Sequence, residues 1–408
     1  MKTLITNCCL LDDAGHTLPG RTAVLSGNRI EKLYDGPFPE PSSEDLVIDA
    51  NGSYLLPGLI NMHVHINRRN VSRTSGTFRT GAAAIENADD GTRMLYAARN
   101  AWYEMLKEGV TTLRDLCSVG RTATHLKEAI NSGLIGGPRL IVCGLGIAAT
   151  GGHETHRYDG AVQVDGPAEI MKAVRNEVKM GADFIKVMSS GGIGGMPEHE
   201  HPDWAEYSEE EIAAAVFAAH THKREVTVHA MGSEPVLVAL RAGVDGIEHG
   251  TVLTDEALDM MVKRGVWYVP TASGIGAVAD KEEKSGNAEL AETVRRIVVR
   301  PQIESIKKAK ARGLLIGAGS DTSGSVLKEL LIFEQCGFTR KEALDTATAN
   351  AAKILHMDDK IGYVREGYLA DLILVKDDPM KDLNNLSGIE AVFKDGVKVT
   401  EDNLMRLV

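Results

Sequence analysis

The stretch LINMHVHIN, residues 59–67, decides the fold and the chemistry expected of this chain. Its apolar residues predict a buried strand that ends in His63 and His65. Because side chains on a strand alternate between faces with a period of two, both imidazoles point the same way. The pair is therefore a candidate chelate for a metal ion, although two histidines alone are also compatible with ordinary polar residues at a strand end.

Outward from this stretch, short apolar runs alternate with helix-like segments. The strand candidates are 59–66, 111–116, 140–144, 184–188, 226–229, 246–248, 267–269 and 314–316. The helix candidates are 93–107, 167–180, 209–223, 234–241, 255–264 and 291–312. This alternation over residues 58–364 predicts an α/β fold, a (β/α)8 TIM barrel. An open doubly wound sheet is the alternative, but no GxGxxG follows an early strand.

The two ends of the chain have a different pattern, with short strand-like runs between turns. Residues 1–57 contain such runs, and residues 365–408 repeat them around Asp395-Gly396, a favoured hairpin turn. We expect both ends to build one small β-sandwich domain beside the barrel of residues 58–364.

Composition and charge narrow the function. The 408 residues are 43% hydrophobic and 25% charged, as is typical of a soluble globular protein. A formal net charge of −12 argues against nucleic acid as a partner. Five cysteines without CxxC spacing, no export signal and no long apolar run predict a cytoplasmic protein outside the membrane. A homo-oligomer is compatible with the sequence but not indicated by any patch.

Further polar residues stand at later strand ends. Lys186 lies within the fourth strand candidate, His229 and His249 end the fifth and sixth, and Asp321 follows the eighth. Barrel enzymes assemble their sites at this face, so the coincidence predicts a divalent metal site. Imidazole and carboxylate favour zinc, with manganese, cobalt or iron as alternatives. In contrast, His220 and His222 diverge around a helix and are expected at the surface.

These residues together resemble the amidohydrolase superfamily in its binuclear form, which carries a carboxylated bridging lysine. The segment GYVREGYLADLILV (362–375) resembles the superfamily's return to its small β-domain. A closer similarity, to the prolidase-like (Xaa-Pro dipeptidase-like) branch, is carried by the following motifs: MSSGGIGG (188–195), AEYSEEEI (205–212), IEHGTVLTDE (247–256) and WYVPT (267–271).

The resemblance implies a ligand set for two metal ions. His63, His65 and Asp321 would bind the more buried ion, and His229 and His249 the second. Lys186 would bridge both ions as a carbamate formed with carbon dioxide, because an ammonium group has no lone pair. A bridging hydroxide would attack the scissile carbonyl, and Asp321 would take its proton and deliver it to the leaving nitrogen.

Substrate contacts are expected on the loops. His153 follows the third strand, where the resembling branch has a histidine that contacts the substrate, and His156 is a weaker candidate. Many prolidase-like members carry a tyrosine two residues after the fifth-strand histidine, where it helps to hold the substrate carboxylate. Here that position is Met231, which puts recognition of a free dipeptide C-terminus in doubt.

Charged residues nearby are alternative contacts for a substrate carboxylate. Each is also compatible with plain surface solvation; they are Arg68, Arg69 and Arg157. The loop 191–204, with His199 and His201, is either a lid or an ordinary surface loop.

We therefore expect a metal-dependent hydrolase that cleaves an amide C–N bond, in dipeptides (Xaa-Pro or others) or N-acyl amino acids. A cyclic amidohydrolase that opens an imidazolone or hydantoin ring is one alternative. A catalytically silent barrel that serves as a scaffold is the other.

Overall fold

The computed structural model describes residues 2–36, 40–68, 88–155, 160–193 and 200–404. In chain order, its strands are β1 (Thr3–Leu11), β2 (Thr17–Ser26), β3 (Arg29–Asp35), β4 (Leu46–Asp49), β5 (Tyr54–Pro57), β6 (Leu59–Val64), β7 (Val110–Asp115), β8 (Arg139–Val142), β9 (Gly146–Ala148), β10 (Ala161–Gln163), β11 (Ile185–Met188), β12 (Val226–Ala230), β13 (Gly246–His249), β14 (Trp267–Val269), β15 (Leu372–Val375), β16 (Ile389–Lys394) and β17 (Val397–Lys398).

The helices, also in chain order, are α1 (Asp90–Glu108), α2 (Thr122–Asn131), α3 (Gly166–Lys179), α4 (Glu209–Thr221), α5 (Ser233–Ala242), α6 (Asp255–Arg264), α7 (Ala272–Lys284), α8 (Ala288–Val294), α9 (Arg300–Ala311), α10 (Val326–Gln335), α11 (Arg340–Thr346) and α12 (Ala349–Ile354). Short 3-10 turns lie at Val119–Arg121, Leu383–Ser387 and Glu401–Asn403.

Strands from both ends of the chain share one sheet. Its order is β17-β16-β15-β5-β1-β2-β3, with β4 paired to β1. Asp395 and Gly396 both have positive φ, of 49° and 78°, as the expected tight turn between β16 and β17 requires. The hydrogen bonding forms a single sheet, so the two-layer sandwich and its boundaries stay predictions.

The middle of the chain forms two parallel sheets, β6-β7-β8 and β10-β9-β11-β12-β13-β14. Because parallel strands run the same way, their carboxyl ends lie at one edge, where the candidate ligands stand. This is the α/β fold that the alternation of segments predicts. The closed eight-stranded barrel stays a prediction.

The expected eighth strand, 314–316, is not a strand in the structure. Ile316 forms an isolated parallel bridge with Tyr268. Gly317 and Gly319 follow it, and glycine has no side chain with which to stabilise a strand. The segment still connects the sheets, because Tyr268 N donates to Leu315 O at 3.0 Å and Met62 N donates to Ala318 O at 2.8 Å.

One expected helix is also interrupted. The pattern over 291–312 predicts a single helix, but α8 and α9 are joined by a π-helical turn, Arg295–Val299. Pro301 lies in the first turn of α9 and has no N–H to donate to a preceding carbonyl, which accounts for the wider turn. The other predicted helices agree with the structure to within a few residues.

Two observations bear on where the chain resides. Among the helices of the described ranges, none combines the length and apolar character needed to cross a bilayer. All five cysteines are buried and free. A cytoplasmic location stays a prediction.

Gly246 gives a test of the packing beneath the site. A Cβ atom built on Gly246 of β13 would lie 2.2 Å from the ring of Trp267. Gly246→Ala should therefore lower the free energy of unfolding by about 1–3 kcal/mol through overpacking. The matched control is Gly276→Ala in α7, where an added Cβ meets nothing within 4 Å and alanine should stabilise the helix by up to about 1 kcal/mol. Urea unfolding of both variants checks this, and a Gly246→Ala protein as stable as the control would contradict it.

Candidate metal centre

The six predicted ligands lie at the carboxyl edge of the parallel strands. His63, Lys186, His229 and His249 belong to β6, β11, β12 and β13, and their side chains are buried. His65 follows β6 and is also buried, whereas the side chain of Asp321 is 22% exposed. Positions far apart in the sequence thus end at one place because parallel strands end together.

The distances between these side chains are short. Ligand atoms of His63, His249 and Asp321 all lie within 4.8 Å of one another. His65 Nε2 lies 3.6 Å from Asp321 Oδ1. The ring centroid of His249 is 4.9 Å from that of His63 and 4.5 Å from that of His229. The structure therefore brings the four histidines and the aspartate together.

Hydrogen bonds orient two of the imidazoles. His63 Nδ1 lies 2.7 Å from Glu248 Oε2, and a carboxylate accepts, so Nδ1 carries the proton. His249 Nδ1 lies 2.7 Å from the hydroxyl of Thr271, whose own hydrogen is donated to Pro270 O at 2.6 Å. His249 Nδ1 is thus also the donor. In both rings Nε2 keeps its lone pair, and His63 Nε2 is buried with no hydrogen-bond partner among the described residues.

The other two imidazoles are held differently. His65 Nδ1 lies 2.7 Å from the Cys117 carbonyl oxygen and 2.7 Å from a guanidinium nitrogen of Arg68. His229 Nε2 lies 3.2 Å from Gly191 O, which leaves Nδ1 as its nitrogen for a ligand. Each imidazole therefore has one nitrogen engaged by the protein, as is usual for histidines that bind metal.

Burial sets the protonation of these groups. It lowers the pKa of His63, His65, His229 and His249 well below the ordinary value of 6.5. Burial also lowers the pKa of Lys186, although the negative charge of Glu248 opposes this shift. Neutral imidazoles keep their lone pairs. The donor set, with the unpaired His63 Nε2, fits a divalent cation.

The backbone around the site is strained at positions that have no glycine. Of the eleven described non-glycine residues with φ in the left-handed region, four belong to the site or support one of its histidines: Cys117 (94°), His249 (68°), Thr271 (57°) and Asp321 (54°). Such conformations cost about 1–3 kcal/mol each and concentrate at functional sites.

His153, the expected substrate contact, stacks on a candidate ligand. Its ring lies 4.0 Å from that of His229, with an interplanar angle of 22°. His153 Nδ1 lies 2.5 Å from Glu200 Oε2. Burial lowers the pKa of His153, but the hydrogen bond to Glu200 and the negative charges of Glu200, Glu154 and Glu206 together outweigh burial, so the pKa is raised overall. His153 is placed beside the cluster, and its contact with substrate stays a prediction.

The structure describes only one of the three arginines that were alternative contacts for a substrate carboxylate. Arg68 is buried, so surface solvation is wrong for it, and its guanidinium pairs with Glu154 at 2.5 Å. Burial raises the pKa of Glu154, but Arg68, His153 and His65 together outweigh burial and hold that pKa at about 2. An arginine already paired in this way is a poor contact for a substrate carboxylate. Arg69, His156, Arg157 and His199 lie outside the described residues, as does part of the loop 191–204.

Met231 lies in an apolar cluster. Its side chain is buried and packs with Ile275, Val294 and Val298 from the helices after β14. Gly274, next to Ile275, is so close to the site that an added Cβ would lie 2.7 Å from Asp321 Cβ. His220 and His222 are exposed, as expected for surface residues.

Sequence reasoning missed the residues that support the histidines. Glu248, Arg114 and Thr271 are buried and contact the cluster or each other. A signal was present for Glu248, because a carboxylate inside the buried strand GIEH needs a partner. No pattern indicated that Thr271 would reach His249.

Comparisons with known proteins agree with this geometry. A model of the amidohydrolase family matches residues 54–399. Ochratoxinase from Aspergillus niger is 30% identical over 366 residues, which cover 83% of this chain and 73% of that protein.

Solved structures also match over nearly the whole chain. A Xaa-Pro dipeptidase with methionine bound in its active site superposes with a TM-score of 0.85 at 33% identity, covering 98% of this chain and 100% of that one. A prolidase complexed with N-methylphosphonate-L-proline superposes with a TM-score of 0.86 at 27% identity, with the same coverage.

Proposed function

Since the chain belongs to the amidohydrolase family and to its prolidase-like branch, we propose that it is a binuclear metal-dependent hydrolase of open-chain amides, either dipeptides or N-acyl amino acids. The observation that carries the proposal is the cluster of His63, His249 and Asp321, whose ligand atoms lie within 4.8 Å of one another around the unpaired His63 Nε2. The names of two similar proteins, ochratoxinase and the Xaa-Pro dipeptidase, support this substrate class.

The proposed ligands are the four histidines and the aspartate of the cluster, together with Lys186. His63, His65 and Asp321 would hold one ion and His229 and His249 the other, with Lys186 bridging them as its carbamate with carbon dioxide. Burial lowers the pKa of Lys186, which supports this, because only a neutral amine adds carbon dioxide. Zinc is the proposed metal, with manganese, cobalt or iron as alternatives.

When bound, the two ions supply an activated water for attack and polarise the scissile carbonyl. The chain's own groups do the rest. A carboxylate oxygen of Asp321 accepts the proton of the attacking water and then donates it to the leaving nitrogen, since an amide anion leaves poorly. His153, stacked on His229, is placed to contact the substrate.

The architecture proposed for this function is a closed (β/α)8 barrel over residues 58–364, with a β-sandwich from residues 1–57 and 365–408. The hydrogen bonds that join residues 315–318 to Tyr268 and Met62 support closure, because they connect the last strand of one sheet to the first strand of the other.

Metal removal and a lysine variant test the binuclear centre. We expect about two divalent ions per chain by elemental analysis, loss of amide hydrolysis on chelation and recovery on adding metal with bicarbonate. Loss of a residue that only supports a metal ligand lowers activity by about 10- to 100-fold. Lys186→Ala removes a proposed ligand and should lower kcat/KM by more than this. Lys127→Ala is the control. Lys127 forms an ion pair with Asp183, with 2.6 Å between Nζ and Oδ1, and this pair lies away from the cluster. Full activity in Lys186→Ala without added short carboxylates would end the proposal.

A substrate panel separates the proposed class from the cyclic amides. Xaa-Pro dipeptides, other dipeptides, N-acyl amino acids and cyclic ureides are incubated with the metal-loaded protein. Hydrolysis of open-chain amides is expected, and turnover of cyclic substrates alone would defeat the dipeptide assignment. No hydrolysis by fully metal-loaded protein would favour the silent scaffold.

We also propose that Met231 sets the preference at the substrate's carboxyl side. An apolar cluster gives a carboxylate no donor, so Met231→Tyr should raise the kcat/KM ratio of free dipeptides to their C-terminal amides by about 10-fold, the worth of one hydrogen bond to a charged group. Met231→Leu should leave the ratio unchanged. An unchanged ratio in Met231→Tyr would refute this role.

A further inference from the structure

Glu248 is a buried carboxylate beside the candidate metal centre that the proposed reaction does not use. Its side chain is fully buried, and both oxygens are engaged. Oε2 accepts from His63 Nδ1 at 2.7 Å. Oε1 accepts from Arg114 at 2.7 Å and from the hydroxyl of Thr227 at 2.8 Å. Three donors from three different strands therefore converge on one carboxylate.

Arg114 is itself fixed on several sides. The nitrogen that binds Glu248 also donates to the carbonyl oxygen of Met62, the residue before His63, at 3.1 Å. The guanidinium lies 4.0 Å from the ring centroid of Phe184 and 4.7 Å from that of Trp267. A delocalised guanidinium stacks favourably on aromatic rings, so this orientation is stable in a buried place.

The backbone of β13 allows Glu248 to reach His63. Neighbouring strand residues normally point to opposite faces, yet both Glu248 and His249 face the cluster. The left-handed φ of 68° at His249 ends the strand geometry and makes this possible. The strained backbone at His249 thus lets His249, a proposed ligand, and Glu248, which supports the proposed ligand His63, lie side by side.

We propose that Glu248 and Arg114 are positioning residues for the metal centre, resting on the proposed function. Glu248 holds His63 with Nδ1 protonated and Nε2 presented, and Arg114 supplies the countercharge that a buried carboxylate requires. Neither touches the substrate. Their loss is expected to weaken the one ion that His63 binds and to leave the other in place.

The test compares two buried carboxylates. Glu248→Gln keeps the size of the side chain but leaves a single acceptor oxygen for three donors. Glu177→Gln is the matched control, because Glu177 is buried and paired with Arg121, and it contacts no histidine among the described residues. Metal content is measured by elemental analysis of the purified proteins, and zinc affinity by competition with a chromophoric chelator.

We expect Glu248→Gln to retain about one ion per chain, with the other bound about 10- to 100-fold more weakly than in the unaltered protein. Glu177→Gln should bind both ions as the unaltered protein does, even where its melting temperature falls. Equal zinc affinity in the two variants would overturn the positioning role.

A second variant covers the case in which Glu248→Gln does not fold. Thr227→Val removes one hydrogen bond to Glu248 while leaving its charge pair with Arg114, so it should weaken the same ion to a smaller extent. Unchanged zinc affinity in Thr227→Val would then overturn the proposal. If the unaltered protein itself binds no divalent ion, the proposed function fails. If the unaltered protein binds zinc and both Glu248→Gln and Thr227→Val bind it with unchanged affinity, only the positioning role fails.

Discussion

The site depends on one constraint, a buried imidazole nitrogen that has no hydrogen-bond partner within the described part of the chain. His63 Nε2 is in this state because Glu248 engages Nδ1 of the same ring. Leaving a buried polar atom unpaired costs about 1–3 kcal/mol, and a bound cation removes that cost. The lowered pKa values of His63 and His249 have the same meaning, because neutral imidazoles keep the lone pairs with which they bind divalent cations.

The polypeptide around this nitrogen is organised to keep it in place. Gly246 has no side chain, so the ring of Trp267 fits against it, and Arg114 stacks on that ring. Arg114 in turn binds Glu248, which orients His63. A glycine on one strand therefore influences a histidine on another through four contacts. The left-handed residues around the cluster add strain that the surrounding packing must offset.

Much of the fold, and the positions of the candidate ligands along it, could be predicted from the sequence because both depend on simple periodicities; the ligand roles stay a prediction. Alternation of short apolar runs with helical segments indicated the parallel strands, and strand ends indicated His63, Lys186, His229 and His249. The prediction of the eighth strand was wrong because the glycines that follow it leave few side chains to pack. The prediction of one helix over 291–312 was wrong because Pro301 widens a turn.

The supporting residues could not be predicted in the same way. Arg114, Glu248 and Thr271 act through contacts between strands, and the strand register that creates these contacts is not written in any local pattern. The same holds for Arg68. Its sequence context is compatible with a solvated residue, and only the tertiary structure shows that it pairs with Glu154. Long-range pairing of buried charges is decided by the tertiary structure.

The central claim is that these side chains converge on a pair of cations joined by Lys186. An anomalous difference map from crystals grown with zinc and bicarbonate tests it most directly. We predict two peaks, one beside His63 Nε2 and one beside His229 Nδ1, with continuous density from Lys186 Nζ between them. A map without peaks, and with an unmodified Lys186 side chain, would contradict the account.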